Sequence, residues 1–145
     1  MEKRIIPFLI DNLFDEIENS FAEHKRITDD ILMSLYGIFD KVLNTALELI
    51  ESNAVTIMHI KNCYTKTDQF IFQVTGNSQT SYILFYRINY CQCKFYQEKV
   101  LYSNSYPACK HYLAANLAHI WNKYRKFEID FDVYKELIKN IMIKT

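Results

Sequence analysis

The chain has 145 residues, half of them apolar, with only two glycines and two prolines. This length fits one domain with its own core, and this composition excludes a disordered chain. The net charge is zero, but residues 1–51 carry 5 basic and 11 acidic side chains (net −6), and residues 91–126 carry 6 basic and 1 acidic (net +5). We therefore expect an acidic N-terminal face and a basic face later in the chain.

Two amphipathic helices are predicted at the start of the chain. Apolar residues three and four positions apart indicate the first helix over about 5–24. The second begins after Thr28, whose hydroxyl suits an N-cap, and is predicted to run unbroken to about Ser52. Gly37 lies within it, and we expect another helix to pack closely at that glycine.

A three-stranded antiparallel meander follows, at 54–60, 69–75 and 80–90, because these runs are rich in β-branched and aromatic residues. We expect it to bury one face on the helices. Two further helices are predicted, from Lys110 to about Lys126 and over about 130–143 with Asp130 as a cap. The pattern therefore predicts an α+β fold.

Three of the four cysteines fall in two short motifs, Cys91-Gln92-Cys93 and Cys109-Lys110-His111, separated by fifteen residues. Three thiolates and one imidazole form a Cys₃His ligand set that suits tetrahedral zinc. All four positions are filled by protein, whereas catalytic zinc keeps one open for water, so we predict one structural Zn²⁺. The alternative is that these cysteines only fill core or form a disulfide. We expect Phe95 and Tyr96 to pack beneath the metal.

The pattern C-x-C…C-x-H resembles the SWIM zinc finger. The run 109–114 (C-K-H-Y-L-A) is similar to the run that opens the helix after the last ligands in that family. Size and layout are similar to the small SWIM-domain subunit of the Shu complex, including Leu32-x-x-Leu35 and Phe72-Gln73-Val74-x-Gly76. Several relatives have proline directly after C-x-C, where this chain has Lys94.

This resemblance implies a role in homologous recombination. A Shu-type subunit would pair as a heterodimer with a RecA-family recombinase paralogue and promote recombinase filament assembly on single-stranded DNA in the nucleus. Cys63 is left over from the ligand set, which favours a reducing compartment over a secreted disulfide scaffold. No N-terminal signal peptide is evident. We treat 1–145 as one domain, with an N-terminal helical region over 1–53, a sheet and zinc-finger region over 54–126, and a C-terminal helix over 127–145.

Direct nucleic-acid binding is the alternative function. Six basic residues near the zinc motif are candidates to neutralise phosphates, and Tyr96, Tyr102 or Tyr106 to stack on bases. The six are Lys94, Lys99, Lys110, Lys123, Arg125 and Lys126. The opposing interpretation is a solvated face around a centre whose three thiolates leave net charge −1 with zinc.

The sequence does not predict an enzyme. It contains no G-x-x-x-x-G-K-[ST] phosphate-binding loop and no G-x-S-x-G elbow, and paired carboxylates occur only on predicted helix surfaces. Without such motifs, we expect no small-molecule substrate. No apolar run approaches the roughly 20 residues that span a bilayer, so we expect no membrane partner. His59 is interpreted as a strand residue with a satisfied hydrogen bond, and His119 as a surface or half-buried helix residue.

Overall fold

The computed structural model describes residues 6–61, 69–76 and 78–144. The helices in these ranges are α1 (Ile6–His24), α2 (Asp29–Phe39), α3 (Lys41–Glu51), a π-helix (Tyr96–Tyr102), α4 (Lys110–Trp121) and α5 (Phe131–Lys144). The strands are β1 (Val55–Lys61), β2 (Phe70–Thr75), β3 (Ser81–Leu84) and β4 (Arg125–Asp130). Cys63 and Asn77 lie outside the described residues. The predicted α+β class is confirmed.

The strands form one sheet in the order β3-β2-β1-β4. β1, β2 and β3 are the predicted antiparallel meander, with Ile57 opposite Phe72. β4 pairs parallel to β1, with Thr56 opposite Arg125. The predicted three-stranded sheet therefore has a fourth strand, β4, at the edge next to β1, and the predicted strand count was wrong.

Both faces of the sheet are covered, not one. Side chains alternate along a strand, so Ile57 and Phe72 enter the main core, which also contains buried residues of α1 to α4. Met58, Ile71 and Ile83 point to the other face and form a second cluster. The side chains packed against that second cluster include Tyr134, Leu137 and Ile141 of α5. The C-terminal helix therefore closes the second face.

The predicted long second helix is broken at Asp40. Thr28 caps α2 as expected, since its Oγ1 accepts a hydrogen bond from the backbone N–H of Ile31 at 3.3 Å. Asp40 has φ 50° and ψ −128°, which no helix tolerates, and α3 restarts at the next residue. The Tyr36 hydroxyl donates to Asn44 Oδ1 across the break. Gly37 is exposed, and a Cβ added there would meet nothing within 4 Å, so the expected close helix contact is wrong.

The fourth strand replaces the end of the predicted 110–126 helix. α4 stops at Trp121 because Asn122 takes the left-handed conformation (φ 57°, ψ 39°) that often ends helices. β4 follows and includes residue 126, where the sequence predicted the end of a helix and a boundary between the zinc-finger region and the C-terminal helix region. Five of its six residues are exposed, so no alternation of buried apolar residues marks it. An ion pair of 3.0 Å between Lys61 Nζ and Glu128 Oε2 accompanies its pairing with β1.

The helix that carries the last two zinc-motif residues is the most buried one. Ten of the twelve residues of α4 are buried, including Tyr112, Leu113 and Trp121. α4 packs mainly on α3 and also contacts α1 and the sheet. None of the helices described is both long and apolar enough to cross a lipid bilayer.

Replacing Asp40 by glycine is expected to stabilise the fold. Asp40 occupies a positive-φ conformation that costs a non-glycine residue about 1–3 kcal/mol, and its side chain makes no capping hydrogen bond. Glycine removes this strain but adds up to about 1 kcal/mol of unfolded-state entropy, so Asp40→Gly should raise the free energy of unfolding by about 1 kcal/mol in urea titrations. Asp40→Ala is the control, because alanine keeps the strain. A destabilised glycine variant would contradict this account of the break.

Candidate metal centre

The first ligand pair is fixed to the edge of the sheet by the residue between the two cysteines. The side-chain Nε2 of Gln92 donates to the carbonyl of Ile83 at 2.9 Å, and the N–H of Ile83 donates to Gln92 Oε1 at 3.2 Å. One amide side chain thus satisfies both backbone groups of a β3 residue, as a neighbouring strand would. This contact fixes the backbone that carries Cys91 and Cys93.

Each motif also leads into a helical turn that directs an N–H group at a sulfur. The backbone N–H of Tyr96 donates to Cys93 Sγ at 3.3 Å. Cys109 is the N-cap of α4, and its Sγ accepts from the N–H of Tyr112 at 3.5 Å. N–H groups at a helix start favour negative charge, so both contacts stabilise thiolate over thiol.

A cross-link outside the ligand set holds the two motifs together. The Nδ2 of Asn89 donates to the carbonyl of Pro107 at 2.8 Å. Asn89 precedes Cys91 by two residues, and Pro107 precedes Cys109 by two residues. The bond therefore aligns the approach of both motifs.

The four donor atoms have the spacing of a tetrahedral zinc site. The Sγ atoms of Cys91, Cys93 and Cys109 and a ring nitrogen of His111 all lie within 4.8 Å of one another. Cys91 Sγ and His111 Nδ1 are 3.7 Å apart. Zinc bonds of about 2.3 Å to sulfur and 2.0–2.1 Å to nitrogen give tetrahedral edges of about 3.8 Å for S···S and 3.6 Å for S···N. The residues present fit zinc.

The centre is closed. Cys91 and Cys109 are fully buried, and Cys93 and His111 are 4% and 5% exposed. Four protein donors complete a tetrahedron and leave no position for water, as in structural zinc sites. Zinc bound here supplies a cross-link between the sheet edge and α4.

The thiols polarise one another. Hydrogen bonds from Cys109 and Cys91 lower the pKa of Cys93 far below that of a free thiol. The pKa of Cys91 is raised, because its hydrogen bonds with Cys109 and Cys93 and its burial hold the proton on its sulfur. Three buried thiols in such contact cannot all ionise without a cation. Zinc supplies that charge and displaces the protons, so its binding releases protons to solvent.

No protein-family model matches this chain, and no solved structure matches it. A zinc finger SWIM domain-containing protein 7 homolog of Dictyostelium discoideum is 28% identical over 131 residues, 89% of this chain and 81% of that protein. The zinc finger SWIM domain-containing protein 7 of Homo sapiens is 27% identical over 116 residues, 80% of this chain and 79% of that protein.

The protein of the same name from Danio rerio is 31% identical over 108 residues, 74% of each chain. The chain belongs to the zinc finger SWIM domain-containing protein 7 family. The predicted SWIM class and one structural zinc are therefore confirmed, and the core-only or disulfide interpretation of Cys91, Cys93 and Cys109 is set aside.

Aromatic side chains surround this SWIM centre. The ring of Tyr82 lies 4.4 Å from that of His111, centroid to centroid, and shields the imidazole on the sheet side. Tyr96 is buried beside Cys93, as its N–H···S contact requires, and its ring meets Tyr90 at 5.5 Å. Phe95 is half-buried, and its ring lies 5.3 Å from that of Tyr106, centroid to centroid. Low-dielectric rings strengthen the electrostatic hold of the thiolates on the metal.

The six basic residues singled out by sequence are all exposed, but they fall into two groups. Lys94, Lys99 and Lys110 lie at the zinc end; Lys123, Arg125 and Lys126 follow the far end of α4. A helix of twelve residues spans about 18 Å, so α4 separates the groups. Lys94 Nζ also lies 3.8 Å from Glu98 Oε1.

Neither His59 nor His119 belongs to the ligand set. His59 lies in β1 opposite Phe70, with the ring centroids 5.9 Å apart. His119 is half-buried, as expected, and stacks on Phe70 at 5.2 Å. Burial lowers the pKa of His119.

Gln92 and Asn89 are site residues that the sequence did not reveal. Neither type is a zinc ligand, so a search for ligand spacing passes over them. One signal was present: a glutamine between two buried cysteines must find hydrogen-bond partners, and an unpaired sheet edge nearby offers them.

Gln92→Ala is expected to weaken zinc binding without removing a ligand. The substitution leaves the N–H and carbonyl of Ile83 without their partner and frees the Cys91–Cys93 backbone. Loss of such supporting contacts costs about 10–100-fold in metal affinity, which competition with a chromophoric chelator measures. Gln97→Ala, at an exposed position of the π-helix, is the matched control. Equal affinities for both variants and the wild type would show that Gln92 does not position the ligands.

Proposed function

We propose that this protein is a non-enzymatic adaptor in homologous-recombination DNA repair. In this role it pairs with a RecA-family recombinase paralogue in the nucleus, and the pair promotes assembly of the recombinase filament on single-stranded DNA. The pairing is the function implied by the resemblance to the small SWIM-domain subunit of the Shu complex. The zinc centre serves as scaffold and performs no chemistry.

The observation that carries the proposal is the closed Cys₃His centre in a chain of this family. A buried centre with four protein ligands contributes free energy of folding, not a reactive water. The names of the curated relatives give a zinc-binding domain and no enzymatic activity. Such a module acts by presenting a surface.

Exposed apolar side chains support an interaction role. Leu101 is 64% exposed and Tyr102 90% exposed, both at the end of the π-helix between the two ligand pairs. Met33 on α2 and Phe127 on β4 are also exposed. Isolated exposed apolar residues are common, but those between the ligand pairs lie on a segment that zinc holds in place at both ends.

In the proposed assembly, ATP hydrolysis is assigned to the partner. The chain has no Walker-type phosphate loop, and its two glycines cannot build one. Any ATP hydrolysis in the assembly therefore belongs to the partner. The adaptor would hold the partner in an active arrangement.

Direct nucleic-acid binding is the second candidate, favoured by the exposure of all six basic side chains. A strand that neutralised both groups would have to run the length of α4. Binding by this route would weaken steeply as salt concentration rises.

Affinity purification of the tagged protein from its own cells, with mass spectrometry, tests the adaptor role. We expect a RecA-family ATPase in near-stoichiometric amount with the wild type and its loss with Cys109→Ser, because that variant lacks one zinc ligand. Cys63→Ser is the matched control, since it makes the same chemical change outside the ligand set.

Absence of such an ATPase from the wild-type eluate would contradict the adaptor function. Salt-sensitive binding of the purified protein to single-stranded DNA would then make direct nucleic-acid binding the leading function. Retention of the ATPase by Cys109→Ser would instead contradict the scaffold role of zinc.

A further inference from the structure

An open recess lies beside the zinc centre, between α3 and the segments that carry the ligands. Its volume is about 330 Å³, within the range of about 300–1,000 Å³ typical of ligand sites. The lining residues are Lys41, Val42, Thr45, Phe95, Tyr106 and Lys110. We call it the Lys41–Lys110 recess.

The interior of the recess is apolar. Val42 is buried at its base, and the half-buried rings of Phe95 and Tyr106 contact each other at 5.3 Å with a tilt of 51°. Among the described residues, no carboxylate lines the recess. A recess of this kind suits one large apolar side chain, the usual anchor of a protein–protein contact.

The rim is cationic on two sides. Lys41 is the first residue of α3 and Lys110 the first residue of α4, and both are exposed. In the described part of the chain, neither ammonium group has an ion-pair partner. A lysine at a helix N-terminus adds to the positive end of the helix dipole and is locally unfavourable by about 0.3–1 kcal/mol. The two lysines therefore give the rim a positive potential that complements an anionic ligand.

We propose that the Lys41–Lys110 recess docks a segment of the partner protein in which one aromatic or large aliphatic side chain is flanked by carboxylates. The anchor fills the recess, and the carboxylates meet the two lysines. This inference rests on the proposed adaptor function and names the chemistry of the contact.

The same features favour a peptide over single-stranded nucleic acid. A strand is bound by a continuous track of cations and by free ring faces for stacking. Of the described residues that line the recess, two are cations, and the rings of Phe95 and Tyr106 pack against each other.

The zinc centre determines the shape of the recess. Phe95 follows Cys93 by two residues, Tyr106 precedes Cys109 by three, and Lys110 lies between Cys109 and His111. Half of the recess thus consists of residues next to the ligands. Docking at this site would make partner binding depend on zinc.

The test is a titration of the full-length, zinc-loaded, ¹⁵N-labelled protein followed by amide chemical shifts. The probe is a short acetylated peptide with a central phenylalanine between aspartates. We expect saturable shifts at Val42, Thr45 and Lys110, and about tenfold weaker binding when serine replaces the phenylalanine. Lysines in place of the aspartates should abolish binding.

Three variants locate the contact. Thr45 is exposed, so Thr45→Trp fills the recess without entering the core, and we expect loss of peptide binding. The double variant Lys41→Glu/Lys110→Glu should also lose binding. Lys123→Glu/Lys126→Glu, with the same charge change at the far end of α4, should bind as the wild type does.

Other outcomes overturn the inference. Absence of shifts at the recess with the wild type would do so, as would wild-type binding by Thr45→Trp or equal loss in the Lys123/Lys126 control. An oligothymidine that saturates the same amides while the peptide does not would make the recess a nucleic-acid site instead.

Purification of Thr45→Trp from cells separates this inference from the adaptor function. If Thr45→Trp retains the RecA-family ATPase, the adaptor function stands and the docking site is wrong. If no ATPase co-purifies with the wild type but the wild type binds the peptide at the recess, the adaptor function is wrong and the recess remains a peptide site. If the ATPase co-purifies with the wild type but not with Thr45→Trp, the result supports both the adaptor function and the docking site.

Discussion

The structure depends on one constraint: four donor atoms from two distant segments must converge on a single ion. Cys91 and Cys93 are held beside the edge of β3 by the hydrogen bonds of Gln92 to Ile83. Cys109 and His111 lie at the start of α4, the most buried helix. Zinc therefore ties the sheet to the helix at the centre of the main core. Apparent zinc binding in small domains is worth about 10–16 kcal/mol, which matches or exceeds the about 5–15 kcal/mol that holds a typical domain folded.

Features that local chemistry determines are predictable from the sequence. The ligand set follows from donor type and spacing, and α1 and the start of α2 follow from apolar periodicity and the Thr28 cap. Features that depend on distant partners are not predictable in this way. β4 exists because β1 offers an unpaired edge, although its own residues are mostly exposed. No glycine or proline marks the break at Asp40, so the local sequence pattern does not predict it. The hydrogen bonds of Gln92 depend on the sheet edge beside it.

The centre also links fold to function. A closed zinc site does no chemistry of its own, but it fixes the fifteen-residue segment between the ligand pairs and the start of α4. That segment carries exposed Leu101 and Tyr102, and it forms one side of the Lys41–Lys110 recess. The surfaces that the proposed adaptor role would use are thus surfaces whose positions zinc determines.

The most direct test of this account is amide hydrogen exchange before and after zinc is removed with a chelator. Metal analysis should first find one zinc per chain. If zinc ties the sheet to α4, removal should strip protection from the amides of α4 and β3, and added zinc should restore it. Unchanged protection of α4 in a chain shown to be metal-free would contradict the account, because the fold would then stand without its central cross-link.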